Sequence, residues 1–177
     1  MAIQRTKSRK LALKILYQNE FHKIPSEKQI DIVIQSFFEQ VGLVSENEKK
    51  YCVQILKDLS QKKEVIDEKI KQYSQNWALE RMALIDLNIM RIATLEMLYY
   101  PEIPNKVSIN EALELSKIFG SEKSSSFING ILNKILENNT LDNQDTKDDQ
   151  DTETDQDTKD DQGVETDQDT KDDQSTS

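Results

Sequence analysis

The chain has 177 residues, enough for one folded domain around one hydrophobic core and too few for two of ordinary size. Its formal net charge of −10 is unevenly spread: Leu141 to Ser177 holds 15 Asp and Glu against three Lys, a net of −12, which leaves residues 1–140 with 20 basic and 18 acidic side chains and a net of +2. The single cysteine, Cys52, excludes an intramolecular disulfide, a zinc finger and a redox Cys pair, and fits a reducing, intracellular setting.

The basic start, Met1 to Lys10, runs into Lys14, Gln18, Asn19 and Glu20, which break any secretory apolar region. Helical periodicity predicts a first helix over 6–22. Start signals of the capping-box kind, in which a Ser hydroxyl and a Glu or Gln side chain satisfy the free amides of the first turn, occur at Ser26/Gln29, Ser45/Glu48 and Ser108/Glu111. They predict helices over 27–41, 46–73 and 108–119, the second of these with a break near Ser60. A further helix is expected over 79–99. Its segment Met82 to Leu98 is apolar on nearly every side, yet it carries Asp86, Asn88, Arg91 and Glu96, so it reads as a buried hub and not a membrane span. The last helix is placed over 122–138, with Ile128, Ile131, Leu132 and Ile135 on one stripe; the preceding one turns Ile109, Ala112, Leu113 and Ser116 inward. Three glycines and three prolines in residues 1–140 leave little room for hairpins, and strands are not expected.

Beyond Thr140 the sequence repeats Asp-Thr-Lys-Asp-Asp-Gln at Asp145, Asp157 and Asp169, spaced by 12 residues. With Leu141 and Val164 as its only aliphatics, this stretch cannot bury enough surface to offset the ordering entropy, about 1–2 kcal/mol per residue. It reads as a disordered acidic tail over 141–177, following a domain over 1–140. Solubility is the favoured role; an internal phosphate mimic is the competing one.

Catalytic constellations are easily excluded. One His (His22), one Cys and no Gly-rich phosphate loop leave no nucleophile–base pair centred on His and no nucleotide-binding turn. His22 near a helix end reads as a surface residue. No metal site and no cofactor are expected. The first helix is more informative. At about 100° per residue, Lys7, Lys10 and Lys14 fall on one stripe opposite Ala12 and Leu16, with Leu11 and Ile15 between. Tyr17 borders the stripe, and Arg5 and Arg9 add charge at the N-terminal end. Clustered cations attract phosphates through counterion release, and a neighbouring aromatic offers a surface to an unstacked base. The same five cations also fit an ordinary solvated helix face, and Tyr17 a core residue with an exposed hydroxyl.

Three segments resemble the NusB family. Arg9 to Gln18 (Arg-Lys-Leu-Ala-Leu-Lys-Ile-Leu-Tyr-Gln) resembles its first-helix signature. Trp77 to Ala93 with Glu96-Met-Leu98 is similar to its central helix. Pro104 to Leu132, with Phe127-Ile-Asn-Gly130 near its end, is similar to its most specific stretch. The resemblance covers roughly residues 5–136 and none of the tail. It implies an all-α fold of two packed helical subdomains and a non-catalytic adaptor, in the bacterial cytoplasm. Such an adaptor binds boxA-type RNA of ribosomal transcripts together with NusE, a small-subunit ribosomal protein, in the antitermination complex of RNA polymerase. It implies further that the basic first helix touches RNA, that Phe127 and the polar residues before it lie beside the RNA with Lys123 as an added cation, and that Tyr17 and Asp86 face the protein partner. Core packing competes for Phe127, and a pair with Arg91 competes for Asp86.

Departures from the family pattern are Thr6 and Lys7, which interrupt a run usually richer in Arg, and the tail itself. Asn129-Gly130 reads as packing, since a mid-helix glycine usually marks the close approach of another backbone. The resemblance leaves open a homodimer that covers the first helix. Two other functions compete: a scaffold that acts through its acidic tail and, more distantly, an RNA-modifying enzyme, which would need a cofactor domain that the sequence does not show.

Overall fold

A computed structural model of the chain describes residues 2–18, 27–74 and 77–145, and the side chains of 5–18, 29–74 and 77–138. It contains α1 (Ala2–Gln18), α2 (Glu27–Val41), α3 (Glu46–Tyr73), a 3₁₀ turn (Leu79–Arg81), α4 (Leu84–Tyr99), α5 (Asn105–Phe119) and α6 (Ser124–Asp145), with no strand among the described residues. The expected all-α architecture is present. α1 and α2 pack on α3, and α5 packs on α6. α4 packs against α1, α3, α5 and α6 and joins the two halves. Every residue of α4 from Asp86 to Met97 is buried, as the all-round apolar pattern of a hub requires.

Local chemistry explains the helix ends. Ser45 and Glu48 form the reciprocal cap expected of them: Ser45 Oγ accepts the Glu48 amide at 3.3 Å, and Glu48 Oε2 accepts the Ser45 amide at 3.2 Å. α2 ends at Val41 because Gly42 follows at φ +81°, a left-handed conformation that costs a glycine little. α3 passes Ser60 without a break. The Ser60 hydroxyl donates to the Lys57 carbonyl at 2.7 Å, so it satisfies itself on its own helix.

Four boundaries differ from the sequence expectation. α1 begins at Ala2 and not at residue 6; its expected last turn, His22 and Ser26 lie outside the described residues. The helix expected over 79–99 is a 3₁₀ turn followed by extended backbone at Met82 and Ala83, and α4 proper starts at Leu84. α5 starts at Asn105, one turn before Ser108, because Pro104 supplies the helix start: its carbonyl accepts the Val107 amide at 2.8 Å. Ser108 is therefore a core residue, 1% exposed, and caps nothing. α6 runs through the 140/141 boundary to Asp145, and residues 146–177 lie outside the description.

The glycine reading is also corrected. Gly130 is exposed, and a Cβ built there meets nothing within 4 Å, so no backbone approaches it. The close approach is at Gly120. A Cβ there would lie 2.6 Å from Ser124 Cβ and 2.7 Å from the Ser116 carbonyl oxygen, so this position accepts only glycine. The tight joint it permits turns α5 into α6. Ser124 Oγ accepts the Ser121 amide at 2.8 Å and thereby ties the turn to the first residue of α6.

Candidate nucleic-acid interface

α1 shows the two faces its spacing predicts. Ala12, Leu13, Ile15 and Leu16 are buried, Lys7, Lys14 and Tyr17 are exposed, and Lys10 is half-buried. Lys7 Nζ stands 3.1 Å from Glu48 Oε1. That lysine, with the Ser45 amide, holds the Glu48 carboxyl below the usual carboxylate range. Arg5 lies at the far end of the helix, 3.6 Å from Glu102 and 5.3 Å from the centre of the Tyr51 ring. Each pair has one well-exposed member and is screened by solvent, so a phosphate can compete for either cation.

Arg9 does not belong with them. It is 3% exposed; its Nε donates to Glu96 Oε1 at 2.7 Å, and its Nη1 stands 3.1 Å from Glu111 Oε2. Burial disfavours its charge, but Glu96, Tyr51 and Glu111 outweigh burial and raise its proton affinity above the ordinary value. The Tyr51 hydroxyl donates to the same Glu96 oxygen at 2.8 Å. Arg9 thus pins α1 to α3, α4 and α5 and has no free surface for RNA. The spacing carried the signal: Ala12, Leu13 and Leu16 follow Arg9 at three, four and seven residues, the period of the buried face.

Two open grooves flank the first turn of α4. The first, about 480 Å³, is lined by Leu13, Lys14, Tyr17 and Gln18 of α1 with Ile85 and Phe119. The second, about 680 Å³, is lined by Trp77, Met82, Ala83, Asp86, the 121–124 turn, Ser126 and Phe127. Ile85 faces one groove and Asp86 the other, so this turn is the ridge between them. Of the residues singled out from sequence, Lys14 and Tyr17 share the first groove, and Asp86, Lys123 and Phe127 share the second. Lys10, Lys14 and Lys123 have no ion-pair partner among the described residues.

Asp86 is 7% exposed, and its Oδ1 has no hydrogen-bond partner. The competing pair with Arg91 does not form. Arg91 donates through Nε and Nη2 to Asp67 at 2.7 and 2.8 Å, and through Nη1 to Asn88 at 3.1 Å. Phe127 packs on the core and also lines the groove. The sequence reading did not single out Trp77, whose ring centre lies 6.0 Å from that of Phe127. Its signal was an aromatic residue placed just ahead of the hub helix and off any apolar stripe. Ile85 and Phe119 of the first groove were missed too, because each looks like ordinary core on its own helix.

Helices in two halves around one hub, with lysines, aromatic rings and the buried carboxylate of Asp86 lining two open grooves, define an all-α binding protein. No described helix is long and apolar enough to cross a membrane, and no cluster of potential metal ligands occurs among the described residues. The NusB family model matches residues 6–137. The transcription antitermination protein NusB of Acetivibrio thermocellus is 39% identical over 132 residues, covering 75% of this chain and 88% of that one. Its counterpart from Alkaliphilus oremlandii is 40% identical, covering 78% and 97%. The solved structure of NusB from T. maritima superposes with a TM-score of 0.66 at 30% identity, covering 75% of this chain and 90% of that one. A structure of the antitermination factors NusB and NusE with dsRNA, 18% identical with a TM-score of 0.68 and covering 78% and 99%, shares the fold. The chain belongs to the NusB family of transcription antitermination factors, and it is not an enzyme.

Proposed function

We propose that this chain is an RNA-binding adaptor that binds boxA-type RNA of ribosomal transcripts together with NusE and promotes antitermination by RNA polymerase in the cytoplasm. The observation that carries this reading is the pair of grooves on either side of the α4 ridge, each combining a lysine that has no ion-pair partner among the described residues with an aromatic ring. Lysines recruit phosphates by counterion release, and rings hold unstacked bases. The solved NusB–NusE complex with dsRNA, which has this fold, supports both partners. Asp86 supports the second of them: a buried carboxylate whose Oδ1 has no donor among the described residues suits a basic side chain of a ribosomal protein. Tyr17, 55% exposed, lines the groove on the other side of the ridge.

The test is binding of a short boxA RNA across a salt series, with and without NusE, to the full chain and to a Lys10/Lys14/Lys123 triple-Ala variant. The parent should bind, NusE should tighten binding, and the variant should bind less tightly with a shallower salt slope. A parent with no boxA preference even beside NusE would reduce the family likeness to fold alone.

The concentration of a −12 charge in residues 141–177 favours one second reading, a scaffold that acts through the tail on basic partners. Ending the chain at Asp145 separates the two. An RNA binder keeps or gains RNA affinity without the tail, and a tail-driven scaffold loses its partner.

A further inference from the structure

Several lysines of the fold answer a carboxylate of the fold: Lys7 stands 3.1 Å from Glu48, Lys57 2.8 Å from Asp31 and Lys63 2.8 Å from Asp67. Lys10, Lys14 and Lys123 have no ion-pair partner among the described residues. They gather at one end of the bundle, since Lys14 and Lys123 line the grooves on either side of the first turn of α4 and Lys10 lies one turn before Lys14 on α1. The matching charge is in the tail. Residues 146–177 hold 13 Asp and Glu against three Lys, a net of −10, while residues 1–140 carry +2. We propose that the far part of this tail, residues 157–177, docks on Lys10, Lys14 and Lys123 as an internal phosphate mimic, so that RNA has to displace it. The proposal rests on the RNA-binding reading above, and it assigns the tail the role that sequence alone ranks behind solubility.

Chain length decides which part of the tail docks. α6 covers 22 residues, so at a rise of about 1.5 Å per residue it ends about 33 Å from the ridge. From Asp145, Glu153 is at most about 29 Å away on a fully stretched chain and falls short, whereas Asp160 reaches up to about 54 Å and Asp173 about 100 Å. Like charges along the tail favour extension. Two Asp-Asp pairs, Asp160/Asp161 and Asp172/Asp173, are thus within reach, and the 12-residue repeat makes them equivalent. Repetition without apolar positions multiplies docking units and builds no core. A tether holds such a unit at an effective concentration of about 1 mM. With an ionic Kd of about 0.1 mM, the weak end for sequence-independent phosphate binding, the lysines are free about one tenth of the time, and RNA affinity is lower by about tenfold.

The test compares three full-length chains that differ only in the tail: the parent, a near variant (Asp148→Asn, Asp149→Asn, Asp151→Asn, Glu153→Gln) and a far variant (Asp160→Asn, Asp161→Asn, Asp172→Asn, Asp173→Asn). Both variants lose the same charge, at different distances from α6. Without RNA, the amide NMR signals of Lys10, Lys14 and Lys123 should differ between parent and far variant in low salt and coincide in about 1 M salt, where the screening length is about 3 Å. Affinity for a short single-stranded RNA in low salt should rise about 3- to 10-fold in the far variant and stay within about twofold of the parent in the near variant. The gain should shrink as salt rises. Equal gains in both variants mean that the tail repels RNA through diffuse charge, and they overturn docking. Unchanged amide signals in the far variant overturn it as well, whatever RNA does. Amide differences with no RNA bound to any of the three chains overturn the RNA-binding reading and leave the docked tail supported.

Discussion

The two ends of α4 treat buried charge in opposite ways. Toward its C-terminus, Glu96 accepts from Arg9 at 2.7 Å and from Tyr51 at 2.8 Å, and in the middle Arg91 is forked onto Asp67. Toward its N-terminus, Asp86 is nearly as buried but lines an open groove, and its Oδ1 has no partner among the described residues; Glu96 Oε2 has none either, but that residue is only 1% exposed. Desolvating a charge costs several kcal/mol unless partners repay it. The closed end is repaid by α1 and α3, which makes it a structural joint. The open end has only the first turn of its own helix, whose free amides stabilise a nearby anion by about 0.3–1 kcal/mol. It lines a groove that a partner from outside can reach, and this separates a binding surface from a core that is equally rich in charge.

The largest expected effect lies at the closed end. Arg91→Ala strands Asp67 with Lys63 alone, 2.8 Å away, and should destabilise the fold by about 3–5 kcal/mol in urea unfolding. The same joint gives a pH signature. Burial would raise the Asp67 carboxyl, but hydrogen bonds from Arg91 and Lys63 outweigh it and hold it below its usual range. A depressed folded-state pKa contributes stability above the unfolded value, about 3.9, and that contribution disappears as pH falls through the folded value. Asp67→Asn should therefore lower stability at neutral pH and flatten its decline below about pH 4.

At the open end the same kind of change should leave the fold nearly alone. Asp86→Asn removes a charge that no donor among the described residues satisfies at Oδ1, so stability should move by less than about 1 kcal/mol. Affinity for NusE should fall by about 1.5–3 kcal/mol, the value of a hydrogen bond to a charged group. If Asp86→Asn unfolds the protein as readily as Arg91→Ala, the distinction between the two ends fails. The triple-Ala variant of Lys10, Lys14 and Lys123 sharpens it from the RNA side. Stability should change by about 0.5 kcal/mol or less per exposed position, while the logarithmic salt slope for single-stranded RNA becomes shallower by about 2.

How much of this the sequence disclosed depended on whether a residue acts through its own helix. The cap at Ser45, the hub character of Met82 to Leu98 and the buried stripe ending at Ile135 are properties of one helix, and periodicity reported them. Periodicity also put Lys14 and Tyr17 on the exposed face of α1, where the structure has them. Arg9 was misplaced because its type suggests phosphate while its partners, Glu96 and Glu111, lie 87 and 102 positions along the chain and no local pattern connects them. Asp86 was legible as a candidate, but only the fold shows that Arg91 is taken by Asp67. The grooves themselves were illegible. Ile85 and Phe119, or Trp77 and Phe127, become neighbours only when the α5–α6 turn closes on the start of α4, and a glycine at 120 permits that turn.

The smallest expected effect concerns Gly130, which sits one turn after Phe127 on α6 and is exposed, with open space where a Cβ would be. A mid-helix glycine costs about 0.5–1 kcal/mol relative to alanine, mainly through the backbone freedom it gives the unfolded chain. Gly130→Ala should therefore stabilise the protein by about that amount in urea unfolding, since nothing in the fold resists the added methyl. Its effect on binding measures how far the open end of α4 extends along α6. Stabilisation with RNA affinity unchanged would confine the RNA surface to the grooves at the ridge. Stabilisation accompanied by a loss of RNA affinity would mean that the sugar–phosphate chain runs on past Phe127 and lies close against the bare backbone at 130, giving the glycine a reason to persist that the folded chain alone does not supply.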